Sequence, residues 1–311
     1  MARSGRIWLA LATVYVVWGS TYLGIDVAIQ TIPPLLMSAL RFALAGAVLY
    51  AVAIRHGDRE RDRPTRRQWL GAAVAGGLLF LVGNGGVALA ESRDVDTGVA
   101  ALVIASVPLW FAVLDWVVHR RRLTVMGLAG IAIGLAGVAL LVGPSGSVDP
   151  IGAGILLVGA LGWSAGSLYG PRAGLPARPL VAAAMQMIAG SVLMAGAGVA
   201  AGEVGDVSVP STASLLGVAY LVAVGSLVAF SAYTWLLRTT SPALVSTYAY
   251  VNPVVAVALG AAFRGESVTW RMVLAGGAIL VAVVLIVQSK TTTARARRVE
   301  PRPEPALERA A

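Results

Sequence analysis

The sequence contains no cysteine, which excludes disulfides and thiolate metal sites. Its only two histidines, His56 and His119, each sit beside an arginine at an expected helix end, and nothing resembles a metal cluster. Charged residues make up 13% of the chain. An ordinary soluble domain has about 25%, so a water-soluble fold fits poorly. Acids are scarcer than bases, giving a net charge of +9. The arginines nevertheless fall in short gaps between apolar runs rather than on one face, so nucleic acid is not the expected partner. No glycine-rich loop is followed by lysine, and no serine, threonine or histidine makes a nucleophile–base pair at a workable spacing. Neither enzyme activity nor a cofactor is expected.

What the chain has is hydrophobicity, at 58% of residues and a mean hydropathy of +0.80. Ten apolar runs lie at about 7–27, 34–54, 69–90, 96–118, 124–142, 150–170, 180–200, 213–236, 242–263 and 270–288. Each is of a length that crosses a bilayer as a helix. The first run lacks a small-residue cleavage site, so it reads as a span rather than a signal peptide. An all-α integral membrane fold of ten transmembrane helices is predicted. Residues 289–311, rich in Arg, Pro, Glu and Thr, read as a disordered tail. With ten spans, 20 basic residues fall on the side of the termini, 3 on the other, and Arg41 lies within a span. The positive-inside rule then places both termini in the cytoplasm.

The chain also resembles itself. At an offset of 145 residues Trp18 falls on Trp163, Pro34 on Pro179, Arg93 on Arg238 and Pro108 on Pro253. The halves, 1–145 and 146–288, hold five spans each, an odd number, so the second must run upside down. Two inverted five-helix repeats around a central cavity are the plan of a carrier with alternating access.

Polar and aromatic residues inside the spans are the candidates for a binding site. The first span has Trp18-Gly19-Ser20-Thr21-Tyr22, and its counterpart has Trp163 and Tyr169 among small residues. Trp18, Ser20, Tyr22, Trp163 and Tyr169 are therefore expected at a cavity wall where glycine opens room; helix packing is the plainer alternative. Arg41 lies in the outer third of the second span, with Gln186 as its repeat partner, and intramembrane charges commonly mark function. Arg41 is expected near the mouth of the pathway, close to Glu91. Asn84 is deep enough to need a partner. Glu91, a lone acid near an apolar wall, is the candidate proton-coupling group, and a solvated helix-end acid is its duller reading. Asp26 is read the same way, whereas Asp96 and Asp149 read as ordinary N-terminal helix acids. Asp115 is expected to pair with the arginines at 120–122, and Glu266 to anchor a helix end. Prolines remove a helical donor, so Pro108 and Pro253 are expected to bend the fourth and ninth spans as hinge or gate. Beside them Trp110, Asn252 and either Tyr248 or Tyr250 are expected at the cavity, and Tyr233 at the cavity or an interface.

The stretches VVWGSTYLGI at 16–25, VGNGGVALAE at 82–91, WSAGSLYG at 163–170, SPALVSTYAYVNPVVAVALG at 241–260 and GESVTW at 265–270 resemble the drug/metabolite transporter superfamily. Within it they are similar to the EamA-like ten-helix carriers, and among these to the YedA-like inner-membrane proteins of bacteria. The resemblance spans residues 7–288. It implies a cavity lined by the first, third, fourth, sixth, eighth and ninth helices, with the fifth and tenth peripheral. It also implies export of amino acids, other small metabolites or drugs. Small four-helix multidrug relatives use a mid-membrane glutamate in their first helix; this chain has no acid there, so their proton chemistry does not transfer. The expected function is a secondary active exporter of amino acids or related metabolites. A multidrug exporter and a non-transporting scaffold or lipid-interacting protein are the alternatives. A small-molecule substrate, membrane lipids and protons as coupling ion are the expected partners, in a monomer or homodimer.

Overall fold

A computed structural model describes residues 3–55, 64–120, 124–142, 149–240, 242–245 and 247–299. The basic residues at 59–63, 121 and 122, His56 and the end of the chain from 300 lie outside them, as does most of the expected pairing of Asp115 with 120–122. Among the described residues nine helices are long and apolar enough to cross a membrane. They are Ser4–Ile29, Pro34–Arg55, Arg66–Glu91, Thr97–Val118, Val125–Val142, Pro150–Arg172, Pro179–Ala200, Thr212–Tyr233 and Trp270–Gln288. Between the last two lies Tyr248–Arg264, preceded by the short Pro242–Val245. These are the ten spans, numbered in chain order. The tenth helix continues to Val299, past the expected start of a disordered tail at 289. The correction has a simple cause: no proline or glycine stands between Gly277 and Pro301, so nothing local stops the helix.

Local chemistry sets the helix ends. Thr65 and Gln68 form a reciprocal capping box at the start of the third span, and Asp149 accepts from Gly152 N at 2.8 Å at the start of the sixth. Gly265 ends the ninth span at φ 69°, where a side chain would be strained. In the second span Leu40, Leu44, Val48 and Val52 are exposed while Met37, Arg41, Ala45 and Leu49 are buried. The apolar stripe faces lipid, and the opposite face packs inward.

The packing follows a two-fold relation between the halves. The second span lies along the seventh, and the fifth along the tenth. The first span packs chiefly on the eighth and ninth, and the sixth, its counterpart, on the third and fourth. The first and sixth helices have thus exchanged places between the repeats. One packing body comprises spans 1, 8 and 9 and the other spans 3, 4 and 6, each drawn from both repeats.

Two kinds of irregularity lie at the centre. The third and eighth spans each contain a π-helical stretch, Gly77–Asn84 and Leu221–Val228, at almost equivalent repeat positions. The fourth span breaks at residues 105–106, two residues before Pro108. The ninth does not break at Pro253, which lies inside the helix Tyr248–Arg264. The expected paired bends are therefore unequal.

Candidate functional site

A cavity of about 370 Å³ lies between the two bodies, lined from spans 1, 2, 3, 4, 6, 7, 8 and 9. Of the residues singled out from sequence, Trp18, Tyr22, Arg41, Asn84, Trp163 and Gln186 line it. So do Tyr233, Tyr248, Asn252, Pro108 and Pro253. Ser20, Trp110, Tyr169, Tyr250 and Glu91 do not. Ser20 bonds Val17 O and the Tyr220 hydroxyl, joining the first and eighth spans. The Trp110 indole donates to Ser106 Oγ at 3.0 Å, and its ring packs with Leu109, Ala112 and Ile286 on the side of the tenth span. Tyr250 packs against the apolar core and is not in the cavity wall, so of the two tyrosines Tyr248 is the one at the cavity. Gly19 does not open room: a Cβ there would lie 2.6 Å from Val255 Cβ and 2.9 Å from Asn252 O, so it lets the first and ninth spans touch.

Among the described residues the only charge in the cavity wall is Arg41, which is 5% exposed. Its Nε donates to Ser226 Oγ at 3.1 Å, in the π-helical stretch of the eighth span, and its guanidinium lies 4.7 Å from the Phe42 ring centroid. Among the described residues no hydrogen bond engages its terminal nitrogens. Trp18 Nε1 donates to Gly225 O of the same stretch at 3.3 Å, and Asn84 Nδ2 to Leu79 O at 3.4 Å across the other. A π-helical turn displaces carbonyls from the regular ladder, and here the displaced groups hold site side chains.

On one side Trp18, Tyr233 and Tyr248 form an aromatic cluster, with ring centroids 4.9 Å to 5.9 Å apart. On the other Phe42 meets Phe80 at 4.6 Å, and Phe80 meets Trp163 at 6.5 Å. The Asn252 amide nitrogen, turned toward both, lies 3.0 Å from Tyr248 O and 3.1 Å from Tyr15 O, tying the ninth span to the first. Pro108 and Pro253 have no N–H to offer Ile104 O and Ala249 O, four residues earlier, and both of those residues line the cavity. The prolines thus act alike on the site although only one accompanies a break.

The arginine-poor end of the cavity is sealed. Ile25, Val87 and Ala101 line it and are at most 6% exposed. There the first half of the fourth span packs on the ninth, sixth and first, whereas its second half packs on the sixth and tenth. Above the seal, Glu266 accepts from Thr97 N at 2.8 Å and Gly98 N at 3.1 Å. It therefore caps the fourth span rather than its own neighbour, and Asp96 makes no capping hydrogen bond. Burial and the nearby Glu266 push the Asp96 carboxyl above its ordinary range. Glu203 likewise accepts from Leu35 N and Leu36 N at the start of the second span. Asp26 pairs with Arg264 at 2.6 Å. Glu91, expected as a boundary acid, is 5% exposed, and among the described residues neither carboxylate oxygen has a hydrogen-bond partner.

Sequence reading missed Phe42, Phe80, Ser167 and Ser226, because phenylalanine and serine in an apolar helix give no local sign of which way they face. Only the first π-helical stretch had a faint signal, glycines at 76, 77, 83, 85 and 86; the second holds Gly225 alone.

Comparison with known proteins agrees with this geometry. Residues 4–143 and 150–288 each match the EamA-like transporter family, one match per repeat. The chain is 42% identical over 285 residues to the uncharacterized inner membrane transporter YedA of Escherichia coli K12, covering 90% of each chain. It is 28% identical over 294 residues to a probable amino-acid metabolite efflux pump of Salmonella typhimurium, covering 90% of this chain and 93% of that one. A solved crystal structure superposes with a TM-score of 0.61 at 24% identity, over 96% of this chain and all of the other, which shows the fold. The chain is a multi-pass membrane transporter and belongs to the EamA-like transporter family.

Proposed function

We propose that this transporter is a secondary exporter of small amphipathic solutes bearing a carboxylate, amino acids or related metabolites, in the bacterial cytoplasmic membrane. The observation that carries the reading is Arg41: buried, the one charge in the cavity wall, with its terminal nitrogens unpaired among the described residues. A guanidinium offers a planar fork that matches a carboxylate in two hydrogen bonds, and it repels cations. The same charge argues against a broad exporter of cationic drugs. Ile104 O and Ala249 O, which the two prolines deprive of a helical donor, are acceptors for a substrate ammonium. The rings of Trp18, Tyr233, Tyr248 and Phe80 supply an apolar surface, as small-molecule sites generally do. The relative described as a probable amino-acid metabolite efflux pump supports the same class.

With the arginine-rich end in the cytoplasm, the sealed end faces outward. Transport follows from relative motion of the bodies 1-8-9 and 3-4-6, with the break at 105–106 letting the two halves of the fourth span move apart. The test is flux into proteoliposomes across a panel of amino acids, each beside its carboxamide. Saturable flux of acids but not of their amides is expected, with Arg41→Gln lowering kcat/KM by about 100-fold, the scale of a lost charge-assisted pair. Equal transport of acid and amide, or flux confined to cations, contradicts the proposal.

A further inference from the structure

Glu91 and Glu203 are the buried acids among the described residues, and of the two only Glu91 lacks a hydrogen-bond partner. It ends the third span, in the body 3-4-6, and its two oxygens are shielded from solvent without a hydrogen bond among the described residues. The charged and titratable groups within electrostatic reach come from the elements around it: Tyr22 and Asp26 on the first span, Arg41 on the second, and Glu266 on the segment after the ninth. Asp26 is already matched by Arg264, and Glu266 by the two amides of the fourth span. Arg41 is held on Ser226. Among the described residues neither Arg41 nor any other cation pairs with the Glu91 oxygens, and an ionised Glu91 would also face two carboxylates of the opposite body across the seal. Burial without a partner is tolerated by a neutral acid and not by a carboxylate.

We propose that Glu91 is a proton-binding site that governs the seal at the arginine-poor end. With its proton the acid stays buried and the bodies close over it. Without the proton, the carboxylate gains water and relief from Asp26 and Glu266 only when the bodies part, so deprotonation opens that end. The proposal rests on the alternating-access reading but not on the nature of the solute. A proton taken up there closes the seal, which is the sense needed for exchange of an outward-moving solute against protons.

The chain has no cysteine, so single reporters can be read directly. Ala101→Cys, in the cavity wall and 1% exposed, is labelled with a membrane-impermeant maleimide applied from the arginine-poor face of oriented vesicles, without solute. Val209→Cys, 92% exposed, corrects for the pH dependence of thiol reactivity. One linked proton changes an equilibrium by up to about tenfold per pH unit, so corrected labelling is expected to rise with pH by up to about tenfold per unit across the transition. Glu91→Gln, neutral at every pH, is expected to label slowly with no pH dependence. Glu91→Asp restores the dependence, and Asp26→Asn preserves it. A flat profile in the parent overturns the proposal, as does a parent-like profile in Glu91→Gln or a flat one in monodisperse Glu91→Asp. Because no solute is present, failure here leaves the carboxylate reading standing, and failure of the amide comparison leaves this one.

Discussion

Asp149 and Glu91 show how differently two acids at the same end of the molecule are treated. Asp149 is half-buried, lies 2.7 Å from Arg93 Nε, and accepts from Gly152 N. The hydrogen bond from Arg93, and after it the one from Gly152 N, hold its carboxyl below the ordinary range. A group whose folded-state value is depressed contributes stability above its unfolded value and loses it as pH falls through the folded one. Asp149→Asn should therefore lower the thermal midpoint in detergent at neutral pH. The midpoints should converge in strongly acid solution, below the usual aspartate range; a constant gap across pH would contradict this. The helix-end role of Asp149 was legible in the sequence, because capping is local. That Asp96 would yield its cap to Glu266, 170 residues later, was not.

At the scale of elements, Glu203 and Glu266 pin helices distant in sequence. Each takes two amide donors at the start of a span, where a helix leaves such donors unpaired. Glu266→Ala leaves Thr97 N and Gly98 N without their acceptor, and should destabilise the folded protein by about 2 kcal/mol, the scale of a hydrogen bond to a charged group. Thermal unfolding in detergent checks this, and an unchanged midpoint would show that water replaces the cap. The paired prolines were legible as positions but not as bends. Removal of a donor is intrinsic to proline, whereas whether the helix then breaks depends on what supports it. In the fourth span Ser164 Oγ donates to Val107 O at 3.0 Å across the break; in the ninth, Asn252 ties the helix to Tyr15 O.

For the whole molecule, the exchange of the first and sixth helices decides which parts move together. A Cβ on Gly98 would lie 3.2 Å from Val257 Cα, across the two bodies at the sealed end, whereas one on Gly137 would lie 3.1 Å from Ala278 Cβ, between the peripheral fifth and tenth spans. Both separations suit engineered disulfides after slight adjustment. Oxidised Gly98→Cys/Val257→Cys should abolish flux, with recovery on reduction. Oxidised Gly137→Cys/Ala278→Cys should keep flux within about twofold of its reduced form, since that pair need not separate. Full activity in the first pair when oxidised would mean that the bodies move without opening this end.

The sequence by itself determined the spans, the inverted duplication and most of the polar residues at the cavity. Hydropathy, helix length and the missing N–H of proline are properties of a segment and survive in any packing. Tertiary structure alone decided that Tyr248 rather than Tyr250 faces the cavity, that Trp110 turns toward the tenth span, and that Arg41 rests on Ser226. It also decided the π-helical stretches and the mixed bodies. Those outcomes depend on how each helix is rotated about its axis, and in a membrane, where lipid is as apolar as leucine, rotation is set by contacts between helices rather than by an apolar face that must leave water.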